Sequence, residues 1–197
     1  MFHKIFFTLA LLFTITFSAY SNDKSEGYKV GDQVSDFVID NYDGSQYSLA
    51  KSGAKATVII FMSTECPFVQ PYTDRLISLN NEFGSKGIVI WGINSNKTEP
   101  TEEVMNHAKE KNYNFPVLKD NENVVANQFG AARTPEVFVI DNNTMTIIYH
   151  GRIDDNKEAD KVTSNDLQNA LNDFLAGNAI AVSETKAFGC SIKKQSL

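Results

Sequence analysis

Two runs of seven residues, ATVIIFM at 56–62 and IVIWGIN at 88–94, are apolar almost throughout. Continuous apolar runs of this length are typical of strands buried on both faces of a parallel sheet. Between them, from Pro67 to about Phe83, apolar side chains recur every three or four residues, which is the period of one helix face. Proline suits the first turn of a helix, because the N–H that it lacks has no partner there. The pattern predicts a strand–helix–strand unit.

The rest of the chain adds elements on both sides of this unit. Alternating apolar and polar residues around the DG pair in QVSDFVIDNYDGSQYSLA predict an N-terminal hairpin. The later patterns predict a helix starting near Thr98 or Thr101, a strand at 115–118, a helix at 121–130, strands at 135–140 and 146–151, and an amphipathic helix closed by Gly177. Alternating strands and helices indicate an α/β fold, with a parallel core sheet covered by helices and the last two strands as an antiparallel edge.

The first 21 residues differ from the rest of the chain. Lys4 precedes an apolar run that ends near Phe17, and the small residues Ala19 and Ser21 follow. This order is typical of a secretory signal peptide, and it predicts cleavage after Ser21 and an exported protein, periplasmic or secreted. An uncleaved anchor is the alternative, but the run is shorter than the ~20 residues that span a bilayer. We expect a domain at 28–177, a tail at 178–197, and no stable membrane association after cleavage.

Charge and composition exclude some classes of function. The net charge is −6 and the pI is about 5.1, whereas nucleic-acid binding requires a basic surface. No cluster of cysteine and histidine has the spacing of a zinc site, so no metal is expected. The sequence also lacks the glycine-rich phosphate-binding loop G-x-x-x-x-G-K-S/T, and no cofactor is expected.

The chain has two cysteines, Cys66 and Cys190, which in an oxidising compartment can pair with each other, pair with partners or stay reactive. Cys66 follows a buried strand and opens the predicted helix, where unpaired N–H groups favour a thiolate. The negative charge of Glu65 opposes this effect, and Pro67 removes one donor. The simpler interpretation is a buried and inert cysteine. Far along the chain, Pro135 directly precedes an apolar strand, at the position where a sheet tolerates proline.

Several of these segments together resemble the thioredoxin fold and, more closely, the redoxin or AhpC/TSA (peroxiredoxin-like) family. The resemblance covers about residues 30–193 and is carried by CPFVQPY at 66–72, INSN at 93–96, TPEVFV at 134–139, GRIDDN at 151–156 and GCSIK at 189–193. It implies a thioredoxin-like fold with a central mixed sheet, flanking helices and an N-terminal hairpin extension. It also implies a cis peptide bond before Pro135, opposite the active cysteine.

The chain departs from the best-known patterns of these proteins. Thioredoxins carry C-x-x-C, whereas Val69 stands three residues after Cys66, so no dithiol can close within one turn. Typical peroxiredoxins have a proline where this chain has Ile59 and a threonine where it has Ser63. Their arginine aligns with Pro135. The departures argue against efficient peroxide reduction by the usual geometry.

Together with the N-terminal signal pattern, the resemblance implies an exported thiol oxidoreductase with one N-terminal active-site cysteine. Its substrates would be thiols or disulfides of proteins or small molecules, less readily peroxides, with an electron donor that the sequence does not identify. The expected catalytic residues are Cys66 and Cys190, and the expected site-shaping residues are Ser63, Thr64, Pro67, Thr134 and Pro135.

Two roles remain open for Cys190, besides that of an unpaired thiol. As a resolving thiol it would release a substrate from Cys66, and Ser63 would donate a hydrogen bond to the thiolate. As a permanent partner it would make the protein a non-catalytic binding or scaffold module with a structural Cys66–Cys190 disulfide. The missing C-x-x-C pair keeps this second interpretation open.

Overall fold

A computed structural model describes residues 27–195 of the chain; the predicted signal peptide, residues 1–21, lies outside this range. The strands of the described part are β1 Val38–Asp40, β2 Gln46–Ser48, β3 Ala56–Met62, β4 Ile88–Asn94, β5 Val117–Lys119, β6 Arg133–Thr134, β7 Glu136–Asp141, β8 Thr146–Gly151 and β9 Cys190–Ser191. Its α-helices are α1 Thr73–Gly84, α2 Thr101–Glu110, α3 Val124–Phe129 and α4 Asp166–Leu175.

Five of the strands form one mixed sheet in the order β5-β4-β3-β7-β8. The two apolar runs lie side by side as β3 and β4, which are parallel from the pair Ala56 and Ile88 to the pair Met62 and Asn94. β5 extends this parallel half, while β7 pairs antiparallel with β3 and β8 with β7. The predicted central sheet and its antiparallel edge are thus confirmed.

Alternate residues of β3 point to opposite faces of the sheet and enter two separate cores. Val58 and Ile60 pack with apolar residues of α1, α2 and α4. Ile59 and Phe61 pack on the other face with residues of the hairpin and α3. Both faces are therefore covered, which explains why β3 has no polar side and reads as an unbroken apolar run.

The predicted N-terminal hairpin is present as β1 and β2, which form a two-stranded sheet of their own. The turn between them includes Gly44 at φ +82°, a conformation that suits glycine. Just before β1, Phe37 meets Trp91 of β4 edge to face, with ring centroids 6.2 Å apart. This contact fastens the hairpin to the central sheet.

The predicted start of the helix after Cys66 is wrong. Turns follow Cys66, residues Gln70–Tyr72 form a 3-10 helix, and α1 begins only at Thr73. The main-chain carbonyl of Cys66 accepts a hydrogen bond from the N–H of Val69 at 3.0 Å, which closes the first of these turns. A helical segment thus follows the cysteine, but it is not a regular α-helix.

The C-terminal tail folds back onto the domain. It first runs along the free edge of β8, where the N–H of His150 donates to the carbonyl of Ser183 and the N–H of Thr185 donates to the carbonyl of His150, each at 3.0 Å. It then reaches β6 and pairs with it as β9. Between residues 27 and 195, no helix combines the length and apolar character that crossing a bilayer requires.

Candidate active site

Strand β3 delivers Cys66 to the carboxyl end of the sheet, where its side chain is almost completely buried at 1% exposure. The peptide bond between Thr134 and Pro135 is cis, as the resemblance implied, and it lies opposite Cys66. In its thiol form, Cys66 donates a hydrogen bond to the main-chain carbonyl of Thr134, with 3.2 Å between sulfur and oxygen. Residues 68 positions apart in sequence therefore meet at the sulfur atom.

The loop before the cis-proline is held by a buried carboxylate. Glu136 accepts hydrogen bonds from the main-chain N–H groups of Ala132 and Arg133, both at 2.8 Å. His150 of β8 lies 2.8 Å from the other oxygen of Glu136. Burial opposes ionisation of Glu136, but these hydrogen bonds outweigh it and lower its pKa. The hydrogen bonds of Glu136 therefore hold the loop that carries Thr134 in place.

The second cysteine comes from the tail. Strand β9 pairs antiparallel with β6, so that Cys190 lies opposite Thr134. Both cysteines are free thiols, and their sulfur atoms lie 2.7 Å apart. Ile192 anchors this strand, since its N–H donates to the carbonyl of Ala132 at 3.0 Å and its side chain is 9% exposed. The tail thus presents Cys190 directly to Cys66.

Gly189 permits this close approach. It has φ +146°, and a Cβ added there would collide with the main-chain carbonyl of Thr134. Only glycine avoids both the collision and the unfavourable backbone conformation. The glycine of the GCSIK segment is therefore required for the tail to reach its position.

The two thiols differ in acidity. Burial raises the pKa of Cys66, but the Cys190 thiol, the polar side chain of Thr134 and nearby main-chain N–H groups together lower it by more, so that the pKa lies below that of an ordinary thiol. The Thr134 hydroxyl is buried and has no hydrogen-bond partner within the part of the chain that the structure describes. Burial and the neighbouring Cys66 raise the pKa of Cys190 to about 11. At neutral pH, Cys66 is the sulfur that ionises more readily and Cys190 is the donor.

The predicted site residues separate into two groups. Ser63, Cys66 and Cys190 line one cavity of about 130 Å³, and Cys66 contacts Thr134, the residue before the cis-proline Pro135. Pro67 is exposed, and Thr64 donates to two carboxylates, those of Glu99 and Glu103. The Ser63 hydroxyl also donates to Glu99, at 2.5 Å. The Ser63 hydroxyl thus donates to Glu99 and not, as expected, to the sulfur, because a carboxylate is the stronger acceptor.

Glu99 is a buried member of the site that the sequence does not predict. Its carboxylate is 2% exposed and accepts five hydrogen bonds, from the Ser63 hydroxyl, the Thr64 N–H and hydroxyl, and the side-chain amides of Asn94 and Asn96. Burial opposes its ionisation, yet these donors lower its pKa. Glu99 fixes the junction between β3 and Cys66. In the sequence it looks like one of several acidic residues beside a helix start, and no local pattern distinguishes it.

The GRIDDN segment supports the site from the other side. Asp154 accepts a hydrogen bond from the Tyr72 hydroxyl at 2.9 Å and forms an ion pair with Arg75. Arg75 also donates to the main-chain carbonyls of Asn156 and Lys157. These bonds fasten the loop after β8 to the segment that connects Cys66 with α1. Over residues 27–195, no three His, Cys, Asp or Glu side chains are grouped to hold a metal ion.

Comparison with known proteins agrees with this architecture. The sequence model of the AhpC/TSA family matches residues 30–150. Thiol-disulfide oxidoreductase ResA from Geobacillus thermodenitrificans (strain NG80-2) is 27% identical over 140 residues, which cover 68% of this chain and 78% of that protein.

Solved structures extend the comparison. A hypothetical protein from Sinorhizobium meliloti 1021 superposes with a TM-score of 0.78 at 31% identity, covering 86% of this chain and 97% of the other. Peroxidoxin BcpB from Mycobacterium tuberculosis superposes with a TM-score of 0.56 at 23% identity, covering 76% and 97%. The fold is therefore thioredoxin-like, of the kind found in thiol-disulfide oxidoreductases.

Proposed function

Because this chain belongs to the AhpC/TSA family and brings two cysteines of unequal acidity together, we propose that it exchanges thiols and disulfides, with Cys66 as the nucleophile and Cys190 as the resolving thiol. The observation that carries the proposal is the approach of the two sulfur atoms to 2.7 Å beside the main chain of Thr134. A resolving thiol has to reach the nucleophilic sulfur, and the docked tail supplies that contact without a second cysteine in the first turn.

The reaction takes two exchange steps. The Cys66 thiolate attacks a substrate disulfide, a bond forms between Cys66 and one substrate sulfur, and the other sulfur leaves as a thiolate. Cys190 then loses its proton and attacks the sulfur of Cys66, which forms the Cys66–Cys190 disulfide. The second substrate sulfur leaves and takes up that proton. Two protein thiols are oxidised and one substrate disulfide is reduced, and an external thiol donor restores the protein.

Thiols and disulfides fit the site better than peroxides. The Ser63 hydroxyl stands where typical peroxiredoxins have threonine, but it donates to the Glu99 carboxylate. Ile59 replaces the proline of those enzymes and is fully buried in the sheet. The tail also covers the sulfur, so a substrate gains access to Cys66 as β9 leaves β6. A disulfide in an extended protein segment or a small molecule is therefore the proposed substrate.

Export completes the proposal. The pattern of residues 1–21 supports a signal peptide, and an oxidising compartment would supply both disulfide substrates and a pool of oxidised protein. The protein would then depend on a separate electron donor in the periplasm or outside the cell.

The test uses separate serine variants and a peptide that carries a mixed disulfide with a chromophoric thiol. Cys190→Ser is expected to release the chromophore once and to retain the peptide on Cys66, which mass spectrometry detects. The wild-type protein is expected to release both halves and to end with the internal disulfide. Cys66→Ser is expected to do neither. Equal reactivity of Cys66→Ser and wild type would contradict the assignment of the nucleophile.

Treatment of the purified protein with glutathione tests the scaffold alternative, which the proximity of the two sulfur atoms also favours. If the Cys66–Cys190 bond is structural, the purified protein would carry it completely and millimolar reduced glutathione would leave it intact. The proposed enzyme is instead expected to open under these conditions and to close again with oxidised glutathione. A bond that resists reduction would favour the scaffold.

A further inference from the structure

Asn96 lies between the two chain segments that carry the cysteines, and it contacts both through one side chain. Its amide nitrogen donates to Glu99 at 2.9 Å, and its amide oxygen accepts the main-chain N–H of Lys193 at 2.8 Å. Asn96 is 3% exposed, so both bonds are shielded from water. The main chain next to it adds a second link, since the N–H of Lys97 donates to the carbonyl of Lys193 at 2.9 Å.

The partner of Asn96 holds the other cysteine. Glu99 accepts the N–H of Thr64, two residues before Cys66, at 2.7 Å, and Lys193 lies three residues after Cys190. One continuous set of hydrogen bonds therefore joins the backbone before Cys66 to the backbone after Cys190. The side chains of Asn96 and Glu99 are buried, and the set ends on the main-chain N–H groups of Thr64 and Lys193. These bonds restrict relative movement of the two cysteines.

We propose that Asn96 is a positioning residue that sets the approach of Cys190 to Cys66 by holding the tail at Lys193. The inference rests on the proposed function, because it concerns the same pair of thiols. Asn96 touches neither sulfur and takes no part in bond exchange. It raises the effective concentration of the Cys190 thiol at Cys66, since a fixed tail loses less freedom when the disulfide forms.

Asn96 is also saturated, which fits a fixed position rather than a mobile one. Its main-chain N–H donates to the Asn94 side chain at 3.2 Å, and its carbonyl accepts the Lys119 ammonium group at 2.6 Å. Every polar atom of the residue therefore has a partner in the folded chain. The Asn96 side chain therefore stays in place, and its hydrogen bond to Lys193 forms only while the tail is docked.

The measurable quantity is the effective concentration of the two thiols, obtained by equilibrating the protein with reduced and oxidised glutathione. The balanced reaction converts both protein thiols and one oxidised glutathione into the internal disulfide and two reduced glutathiones. It requires no substrate turnover. A protein that fails every enzyme assay still gives this value, so failure of the proposed function and failure of this inference are distinguishable.

The first pair of variants acts on the tail and spares the core. Lys193→Pro removes the N–H that Asn96 accepts, whereas Lys193→Ala retains it, and this side chain is exposed. Loss of a buried hydrogen bond of this kind is expected to lower the effective concentration about tenfold in Lys193→Pro. Lys193→Ala is expected to stay within about twofold of wild type. Equal values for the two variants would overturn the inference.

The second pair acts on Asn96 itself and includes a rescue. Asn96→Asp places a carboxylate against Glu99 and is expected to lower the effective concentration by at least the same factor, about tenfold. The double variant Asn96→Asp with Glu99→Gln restores a donor opposite an acceptor and is expected to recover most of the loss. Thermal unfolding of each variant accompanies the measurement. If Asn96→Asp does not fold, the Lys193 pair decides the outcome. Folded Asn96 variants with wild-type values would contradict the inference.

Discussion

Gly189 runs so close to the main-chain carbonyl of Thr134 that no side chain fits between them. We predict that Gly189→Ala displaces the tail and lowers the effective concentration of the two thiols about tenfold, because the backbone there is unfavourable for alanine and the added methyl group collides. The glutathione equilibrium measures the change. Alkylation of Cys66 is expected to become faster at the same time, since the tail no longer covers the sulfur.

The matched control is Gly84→Ala at the end of α1. Apart from its chain neighbours and the backbone of α1, no heavy atom of the described residues lies within 4 Å of an added Cβ at Gly84, and its φ is not positive. This variant is expected to keep the wild-type effective concentration and to gain a few tenths of a kcal/mol in stability. If Gly189→Ala behaves like Gly84→Ala, the tail does not need glycine at this position.

Thr134→Val tests the hydroxyl beside the nucleophilic sulfur. The pKa of Cys66 is expected to rise, because the hydroxyl stabilises the thiolate and valine has nearly the same shape without it. The pH dependence of alkylation gives the pKa directly. The folded protein is expected to gain up to about 1 kcal/mol, since this buried hydroxyl has no hydrogen-bond partner within the described residues. Thr134→Ser keeps the hydroxyl and is expected to retain a lowered pKa; an unchanged pKa in Thr134→Val would contradict the prediction.

Glu99→Gln tests the buried carboxylate that holds the segment before Cys66. We predict a loss of about 1–3 kcal/mol in unfolding free energy at pH 7. The groups around the Glu99 carboxylate all donate hydrogen bonds to it, and the NH₂ group of glutamine would face these donors without an acceptor. The pKa of Glu99 is lowered by folding, so its stabilisation is complete above its ordinary value of 4.5 and is lost as the pH falls through the lower folded value. Urea unfolding of both proteins should therefore show a difference that shrinks in acid.

The control for Glu99 is Glu103→Gln, which alters the exposed carboxylate that also accepts the Thr64 hydroxyl. Its effect is expected to stay within about 0.5 kcal/mol. A constant difference between Glu99→Gln and wild type from pH 7 down to pH 3 would show that ionised Glu99 is not the source of the stabilisation.

Asp154→Asn tests the ion pair behind the site. The change leaves the partly buried Arg75 without its counter-charge, and we expect a loss of about 3 kcal/mol in unfolding free energy. Tyr72→Phe removes only one hydrogen bond to the same carboxylate and is expected to cost about 1 kcal/mol. Denaturant unfolding measures both. Equal losses in the two variants would mean that the ion pair adds nothing beyond the tyrosine bond.

The central sheet could be predicted from sequence because burial on both faces leaves a strong signal. The runs that became β3 and β4 contain almost no polar residue, and packing on two cores explains why. The start of α1 could not be predicted in the same way. Apolar spacing continues through the 3-10 segment, and it is Pro71 that stands at the start of that helical turn, whereas Pro67 lies in a turn before it.

The surroundings of Cys66 were harder to predict because they form between distant segments. Cys66 and Cys190 were recognisable as candidates by residue type, and the cis bond before Pro135 by resemblance. The pairing of Thr134 with Cys190 joins residues 56 positions apart, and no local pattern marks β9 as a strand. Glu99 and Asn96 look like surface residues in the sequence, since their partners Thr64 and Lys193 come from segments that are distant along the chain.

Ile192 packs in the core on one face of the sheet, while Cys190, two residues earlier, packs against the core on the opposite face with Cys66. Strand β9 thus crosses the end of the sheet and contacts the cores on both of its faces. A Cys66–Cys190 disulfide would tie this strand to the domain. If the disulfide forms more readily in the folded chain than in the unfolded chain, the same free-energy difference, by thermodynamic linkage, raises the free energy of unfolding of the oxidised protein. The readiness of the two thiols to oxidise and the stability of the oxidised protein would then report the same free energy.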